Sequence, residues 1–141
     1  MTKAISKKHT LGRLHILVIE DSEVEKIILR HILAGSHFVQ MAANATEGWA
    51  AYLEGKPDIV FLDVGLPDGN GNELAEKIKA HNPATYVVMA TSNSDRENKE
   101  RAVKNKVDGF NVKPVNAETI NEHIDRLLTL RWRKSLRLAA L

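Results

Sequence analysis

The chain has 141 residues, of which 43% are hydrophobic and 27% are charged, which is typical of one ordinary globular domain. It contains no cysteine, so a disulfide framework, a thiol nucleophile and a zinc–thiolate site are excluded. The first ten residues lack the apolar core of a signal peptide, and no later segment is apolar enough to span a bilayer. We therefore expect a cytoplasmic protein.

The net charge of +2 conceals an uneven distribution. Nine of the 20 Lys and Arg residues lie in segments 1–14 and 126–141, which contain no acid, so 11 remain in residues 15–125 against all 18 Asp and Glu residues. An acidic body attracts cations, and basic ends attract anions or acidic partners. We divide the chain into a basic extension (1–13), a folded body (14–126) and a basic amphipathic helical extension (127–141).

The body begins with a strand and a helix. An apolar run predicts a buried strand at residues 15–19. Asp21 or Ser22 is suited to cap the helix that follows, and Gly35 is expected to end it.

A second strand and helix come next. The strand is predicted at residues 38–42 and the helix at residues 45–54. The spacing of apolar residues in this helix predicts that Trp49, Ala50 and Leu53 face the core.

A third strand, residues 58–63, contains a continuous apolar run that ends in one acid, Asp63. A lone carboxylate at the end of a buried strand is costly unless a cation or hydrogen-bond donors meet it. The Gly/Pro/Asp-rich loop that follows leads to a third helix near Asn72. Asp63 is therefore the residue whose position most needs a functional explanation.

Two further units complete the body. Strand 86–90 precedes a polar helix, 95–105, and strand 109–113 follows. The helix and its end offer little more than Ala102, Val103 and Val107 to the core. Five such strand–helix units with short connections predict a three-layer α/β/α sandwich around a parallel sheet.

The strands of a parallel sheet all end at one edge, where ligands bind in this class of fold. The residues that end or follow the predicted strands are Glu20, Asp21, Asp63, Thr91 and Lys113. One lysine cannot neutralise three carboxylates, and an all-oxygen ligand set favours a hard cation such as Mg²⁺. We therefore predict a Mg²⁺ site, with Lys113 free to pair with an incoming anion.

In this arrangement the chain resembles the receiver domain of bacterial two-component response regulators, including the chemotaxis regulators, over about residues 14–126. The motifs that carry the resemblance are Glu20-Asp21, Asp63 with Leu66-Pro67, Gly69 and Gly71, Thr91, and Lys113-Pro114. The resemblance implies a flavodoxin-like sheet of strand order 2-1-3-4-5. It also implies a signalling domain that catalyses only its own phosphorylation and dephosphorylation.

The resemblance further implies roles at the predicted metal site. Asp63 would be the phosphoacceptor, and Asp21, Asp63 and the backbone carbonyl of Gly65 would bind Mg²⁺ while Glu20 holds the waters of the metal. The phosphoryl donor would be a sensor histidine kinase or a histidine phosphotransfer protein.

The resemblance also implies a switch. Lys113 would contact the phosphoryl group, and Thr91 would bond to it and move inward. Phe110 would then turn into the space that Thr91 leaves, and this would change the surface formed by helix four, strand five and helix five.

The chain departs from the family pattern near strand five. Lys106-Val107 replace the usual Gly-Ala pair, so we expect Asn105 to supply the left-handed helix cap. Asn111 stands where the family usually has an aliphatic residue. The six histidines show no metal-like spacing, and we expect them to be exposed or only partly buried.

A final helix is predicted from about Asn116, and it runs past the body to the end of the chain. Trp132 and Leu136 lie on a face that the body does not cover, and a second copy of the helix is the simplest partner, giving a homodimer. Binding to a membrane surface, a connector role in a longer regulator and a helix without a specific role are alternatives. Nucleic-acid binding is disfavoured because a short basic helix is weak evidence for it.

Other function classes fit the residues less well. Metal-dependent phosphohydrolases with an aspartyl nucleophile carry a second acid at the position of Gly65. A dinucleotide enzyme needs a glycine-rich turn where Glu20-Asp21 stand. A module that keeps the fold without being phosphorylated remains an alternative, as does a receiver module of a larger regulator. A stand-alone response regulator is the preferred interpretation.

Overall fold

The computed structural model describes residues 13–92 and 96–140, except the side chains of Arg96 and Asn98. Three predictions fall outside the described residues: the basic extension apart from Arg13, the helix start at residue 95, and Leu141.

Five parallel strands form one sheet: β1 (His15–Ile19), β2 (Phe38–Ala42), β3 (Ile59–Asp63), β4 (Tyr86–Thr91) and β5 (Gly109–Val112). Five helices follow the strands: α1 (Glu23–Leu33), α2 (Ala45–Gly55), α3 (Gly71–His81), α4 (Arg96–Lys104) and α5 (Ala117–Ala139). The strand order is β2-β1-β3-β4-β5, which confirms the predicted flavodoxin-like fold with an extended C-terminal helix. A short antiparallel hairpin between β3 and α3 pairs Gly65–Leu66 with Gly69–Asn70.

Helices cover both faces of the sheet, and the side chains that alternate along each strand pack against one face or the other. In β1, Leu17 and Ile19 pack on one side with residues of α2, α3 and α4. Ile16 and Val18 pack on the other side with residues of α1 and α5. This two-sided burial explains why the strands are continuous apolar runs in the sequence.

Polar side chains cap the beginnings of four helices. Ser22, Asn44, Asn70 and Asn116 each accept a hydrogen bond from a backbone N–H in the first turn of α1, α2, α3 and α5. Ser22 rather than Asp21 therefore caps α1, which leaves the Asp21 carboxylate available at the sheet edge.

The inward face of α2 differs from the prediction. Gly48, Ala51 and Tyr52 are buried, whereas Ala50 is exposed and Leu53 is 44% exposed. A Cβ at Gly48 would lie 2.6 Å from the Cδ1 atom of Ile19, so the helix packs on β1 through its glycine. The prediction of Ala50 and Leu53 as core residues was wrong, because α2 lies so close to β1 that only a glycine, Gly48, fits between the helix and Ile19.

Two predictions about α4 and its end were also wrong. Ala102 is buried, but Val103 is 75% exposed and contributes nothing to the core. Lys106, not Asn105, adopts the left-handed conformation after the helix, with φ of 60°. Asn105 instead donates a side-chain hydrogen bond to the carbonyl of Asn72 on α3.

Helix α5 lies on the sheet along its first half and extends beyond it. Ile120, Ile124 and Leu127 are buried. Arg131 Nη2 lies 2.8 Å from Oδ1 of Asp58, which immediately precedes β3, so this contact marks where the helix reaches the amino-terminal edge of the sheet. Trp132 beyond it is 64% exposed. Among the described residues, no helix has the length and apolarity that a membrane crossing requires.

Candidate functional site

The carboxyl ends of four strands meet at one edge of the sheet. Asp63 ends β3 and Thr91 ends β4, while Glu20 directly follows β1 and Lys113 directly follows β5. Backbone hydrogen bonds continue past the strands and hold these positions. The N–H of Val64 donates to Ala90 (2.9 Å), and the N–H of Lys113 donates to the carbonyl of Thr91 (2.7 Å). The sheet thus brings together residues that are up to 93 positions apart in the sequence.

Lys113 is the cation that meets the carboxylates. Its Nζ forms an ion pair with Glu20 Oε1 at 2.5 Å and a longer one with Asp63 Oδ2 at 3.4 Å. All three side chains are largely buried. Glu20 is held from the other side by the N–H of Ser22, which donates to its Oε2 at 3.1 Å. Lys113, which was predicted to be free to pair with an incoming anion, therefore already contacts two acids.

Burial and charge shift the ionisation of this group. Burial, followed by the charge of Glu20 and a hydrogen bond with it, raises the pKa of Asp63 to about 6, against the opposing effects of Lys113 and the Gly65 N–H. Burial alone would lower the pKa of Lys113, but the hydrogen bond with Glu20 and the charges of Asp63 and Glu20 outweigh it and raise this pKa. At neutral pH Asp63 is ionised beside another acid, which is the situation that a cation relieves.

The donor atoms fit a divalent cation. Three carboxylate oxygens lie within 4.8 Å of one another, and each belongs to a different acid: Glu20, Asp21 and Asp63. An all-oxygen set of this kind suits Mg²⁺, which is bound in proteins through one or two carboxylates and retained waters. Glu20 and Asp63 are buried while Asp21 is exposed, so the cluster opens to solvent on the Asp21 side.

The loop after β3 is fixed against Asp63. The N–H of Gly65 donates to Asp63 Oδ1 at 3.1 Å. The N–H of Gly71 donates to the carbonyl of Val64 at 2.7 Å, and a Cβ at Gly71 would lie 2.1 Å from the backbone oxygen of Asp63. Gly71, one of the residues of the family motif, is therefore required for the close approach of α3 to Asp63.

The two predicted switch residues lie on neighbouring strands. Thr91 is buried at the end of β4. Phe110 is half-buried in β5 and packs with the core on the α2–α4 side, and Lys99 Nζ lies 6.0 Å from its ring centroid. Their positions agree with the resemblance, and their switching roles stay predictions.

Residues 16–125 match the family model described as the response regulator receiver domain. The chain belongs to this family. It is 31% identical to the chemotaxis protein CheY of Halobacterium salinarum over 81% of this chain and 96% of that protein. It is also 33% identical to a cyclic di-GMP phosphodiesterase of Thermotoga maritima over 82% of this chain, although this covers only 31% of that longer protein.

Solved structures of receiver domains have the same fold. A CheY-like receiver domain from Methanospirillum hungatei superposes with a TM-score of 0.81 at 28% identity, covering 86% of this chain and 98% of that one. The Brucella abortus protein NtrX gives a TM-score of 0.79 at 26% identity, covering 89% of this chain but 29% of that one. The same receiver fold thus occurs both in short proteins and as part of longer ones.

In this receiver domain, one buried polar contact was missed by sequence reasoning. His123 of α5 is buried, which corrects the prediction that the histidines are exposed or only partly buried. Its Nε2 lies 2.9 Å from Oδ1 of Asn111 in β5. The departure at Asn111 was visible in the sequence, but its partner was not, because nothing in the spacing of the two residues indicates that they meet.

A second contact that the sequence did not reveal anchors the hairpin of the receiver domain. Asp68 accepts hydrogen bonds from the N–H groups of Ala45 (2.7 Å) and Thr46 (3.0 Å) and from Thr46 Oγ1 (2.8 Å) at the beginning of α2. These bonds lower the pKa of Asp68. The hairpin beside Asp63 is therefore tied to α2 as well as to α3.

Proposed function

We propose that this receiver domain accepts a phosphoryl group on Asp63 in a Mg²⁺-dependent reaction, from a sensor histidine kinase or a histidine phosphotransfer protein. One observation carries the proposal: a buried carboxylate at the end of β3 stands among two further acids and a single lysine. Such a cluster suits a site that binds a cation and then an anion.

The chemistry needs an ionised oxygen nucleophile and neutralisation of the phosphoryl oxygens. A carboxylate oxygen of Asp63 forms the new P–O bond while the bond from phosphorus to the donor imidazole nitrogen breaks, and the imidazole leaves with that electron pair and takes up a proton. Mg²⁺, when bound by Glu20, Asp21, Asp63 and the Gly65 carbonyl, supplies Lewis-acid neutralisation of the transferring group. With a pKa of about 6, Asp63 is already ionised at neutral pH and needs no general base.

The remaining residues would act on the product. Lys113, which now contacts Glu20 and Asp63, pairs with the phosphoryl oxygens. Thr91 donates its hydroxyl hydrogen bond to the same group, and Phe110 turns inward. The surface of α4, β5 and α5 changes as a result, in the manner of a two-state element biased by a local change in charge.

Intact-mass measurement tests the proposal directly. The full chain is incubated with Mg²⁺ and a small phosphoryl donor, and we expect the mass of one phosphoryl group to be added to the wild type and not to Asp63→Asn. Asp125→Asn is the matched control, because it removes an exposed carboxylate of α5 outside the acid cluster, and it should be labelled as the wild type is. An unmodified wild type, or equal labelling of Asp63→Asn, would contradict the assignment.

We also propose that the protein acts as a stand-alone cytoplasmic response regulator. The proposal is supported by the similarity to CheY of Halobacterium salinarum, because the match covers 96% of the length of that protein. A role as one module of a longer regulator is the alternative, because the match with the Thermotoga maritima phosphodiesterase covers only a part of that protein.

The exposed half of α5 supports a homodimer as part of the proposal. Trp132 and Leu136 are 64% and 52% exposed and lie four residues apart, so they share one face of the helix. Leu128, four residues before Trp132, lies on the same face of the helix and packs partly against the core. Arg133 and Arg137 flank this face, about 100° around the helix from Trp132 and Leu136 respectively, so two copies can join their apolar faces while the long basic side chains reach into solvent beside the interface.

A further inference from the structure

Asn111 and His123 form a buried polar contact beneath the phosphorylation site. The Asn111 Oδ1 to His123 Nε2 distance is 2.9 Å, and both side chains are at least nine-tenths buried. Burial and the nearby Arg126 lower the pKa of His123, although Glu122 opposes this, which favours the neutral ring. Because the Asn111 Oδ1 that faces Nε2 can only accept, the contact assigns the proton to Nε2. The ring also fits closely against β5, where a Cβ at Gly109 would lie 2.5 Å from its Cε1.

The amide nitrogen of Asn111 is the informative atom. It is buried and has no hydrogen-bond partner among residues 13–92 and 96–140. Leaving such a donor unsatisfied costs roughly 1–3 kcal/mol, so buried amides normally have a partner, often a water molecule. An aliphatic side chain would fill this position without that cost, and the amide therefore calls for an explanation.

Asn111 lines a small cavity together with two of the acids at the sheet edge. Its volume is about 10 Å³, and its lining includes Asn111, Glu20 and Asp63 together with apolar residues such as Ile120. About 10–15 Å³ is the space that one buried water requires, and such a water needs two or more polar partners. Asn111, Glu20 and Asp63 are the polar residues in the lining of this cavity, so they are the partners available to such a water.

We propose that Asn111 is a positioning residue that connects the phosphorylation site to α5: through one buried water it contacts the Glu20–Asp63 carboxylates, and through its own oxygen it holds His123. The inference rests on the proposed function of Asp63. A phosphoryl group on Asp63 reduces the capacity of that carboxylate to accept the water's hydrogen bond. The water and the Asn111 amide then reorient, and the contact with His123 changes.

The contact gives α5 a direct link to the site. His123 lies in the middle of the buried half of α5, between Ile120 and Ile124. Asn111 follows Phe110 in β5, so the predicted switch residue and the linking residue are neighbours on one strand. A change at the carboxylates therefore reaches the helix by a route separate from the rotation of Phe110.

Nuclear magnetic resonance on the full chain tests the link, with Mg²⁺ and beryllofluoride as the phosphoryl mimic. In the wild type we expect the His123 ring resonances and the Asn111 side-chain NH₂ resonances to shift when the mimic binds, and the NH₂ group to show a cross-peak to bound water. In Asn111→Leu the His123 shift should be lost. Ile120→Val is the control, because it alters the wall of the same cavity without removing a polar group, and it should keep the shift.

Each outcome decides the question. The Gly65 amide reports binding of the mimic at Asp63 independently. A wild type in which the Gly65 amide shifts but His123 and the Asn111 NH₂ group do not would overturn the link and leave the proposed function intact. An unchanged His123 shift in Asn111→Leu would do the same. If Asn111→Leu does not fold, the wild-type NH₂ measurements alone decide. Absence of any response at Gly65, together with an unmodified mass, would overturn both proposals.

Discussion

At the scale of single residues, Asp63 carries a cost that its proposed function explains. Its pKa of about 6 lies above the usual 3.8, because burial and Glu20 disfavour the charged form. The folded chain therefore binds more protons than the unfolded chain between about pH 4 and 6, and its free energy of unfolding decreases as the pH rises through that range. Above pH 6 the whole cost is present.

Asp63→Asn should remove this cost. Without divalent cations we expect the variant to be more stable than the wild type by about 1–2 kcal/mol at neutral pH, where solvent screening reduces the nominal effect of the pKa shift, and equally stable near pH 4. Urea denaturation in the presence of a chelator at both pH values measures the difference. A constant difference at the two pH values would show that ionisation of Asp63 is not its cause.

At the scale of elements, the sequence predicted the strands better than the helix faces. The central strands β1, β3 and β4 are buried on both sides and are therefore continuous apolar runs, so their bounds followed from composition. A helix has one buried face that depends on close packing. Gly48 of α2 faces inward because Ile19 occupies the space that a side chain would need. Tyr52 faces inward because its hydroxyl lies 2.8 Å from Nδ1 of His81. Neither contact can be predicted from the hydropathy pattern of the sequence.

The candidate site followed from the sequence to the extent that it consists of strand ends. Glu20, Asp63 and Lys113 converge because a parallel sheet places them at one edge, whatever their side chains are. The contact of Asn111 with His123 could not be predicted, since it depends on how β5 and α5 are placed relative to each other. Such contacts between elements require the packed structure.

Asp58 links three elements at the opposite edge of the sheet. Its Oδ2 accepts a hydrogen bond from the N–H of His15 at the beginning of β1, while its Oδ1 pairs with Arg131 of α5, each at 2.8 Å. We expect Asp58→Ala to cost about 1–2 kcal/mol, because a half-buried backbone donor loses its acceptor. Arg131→Ala should cost less than about 1 kcal/mol, since it removes only a partly exposed ion pair. Chemical denaturation measures both, and equal costs would contradict the structural difference.

At the scale of the whole molecule, the exposed end of α5 carries an apolar face, formed by Trp132 and Leu136, that is available for association. Leu136→Ala should weaken self-association about five- to tenfold, because it truncates an apolar side chain in the proposed interface. Leu130→Ala is the matched control, since Leu130 is also about half exposed but lies on a different face of the helix. Sedimentation velocity at high micromolar concentration, with and without beryllofluoride, makes the comparison. A monomeric wild type, or equal weakening by both variants, would exclude this interface.

The continuity of α5 has a mechanical consequence. Its 23 residues correspond to a rod about 35 Å long, with one end near the edge of the sheet that carries Asp63 and the other beyond the opposite edge. On a rod of this length, a tilt of about 5° at one end moves the other by about 3 Å. A tilt of about 5° about the first turn of α5 would therefore move Trp132 and Leu136 by about 2 Å, and the Arg131–Asp58 ion pair on the way would have to adjust with it.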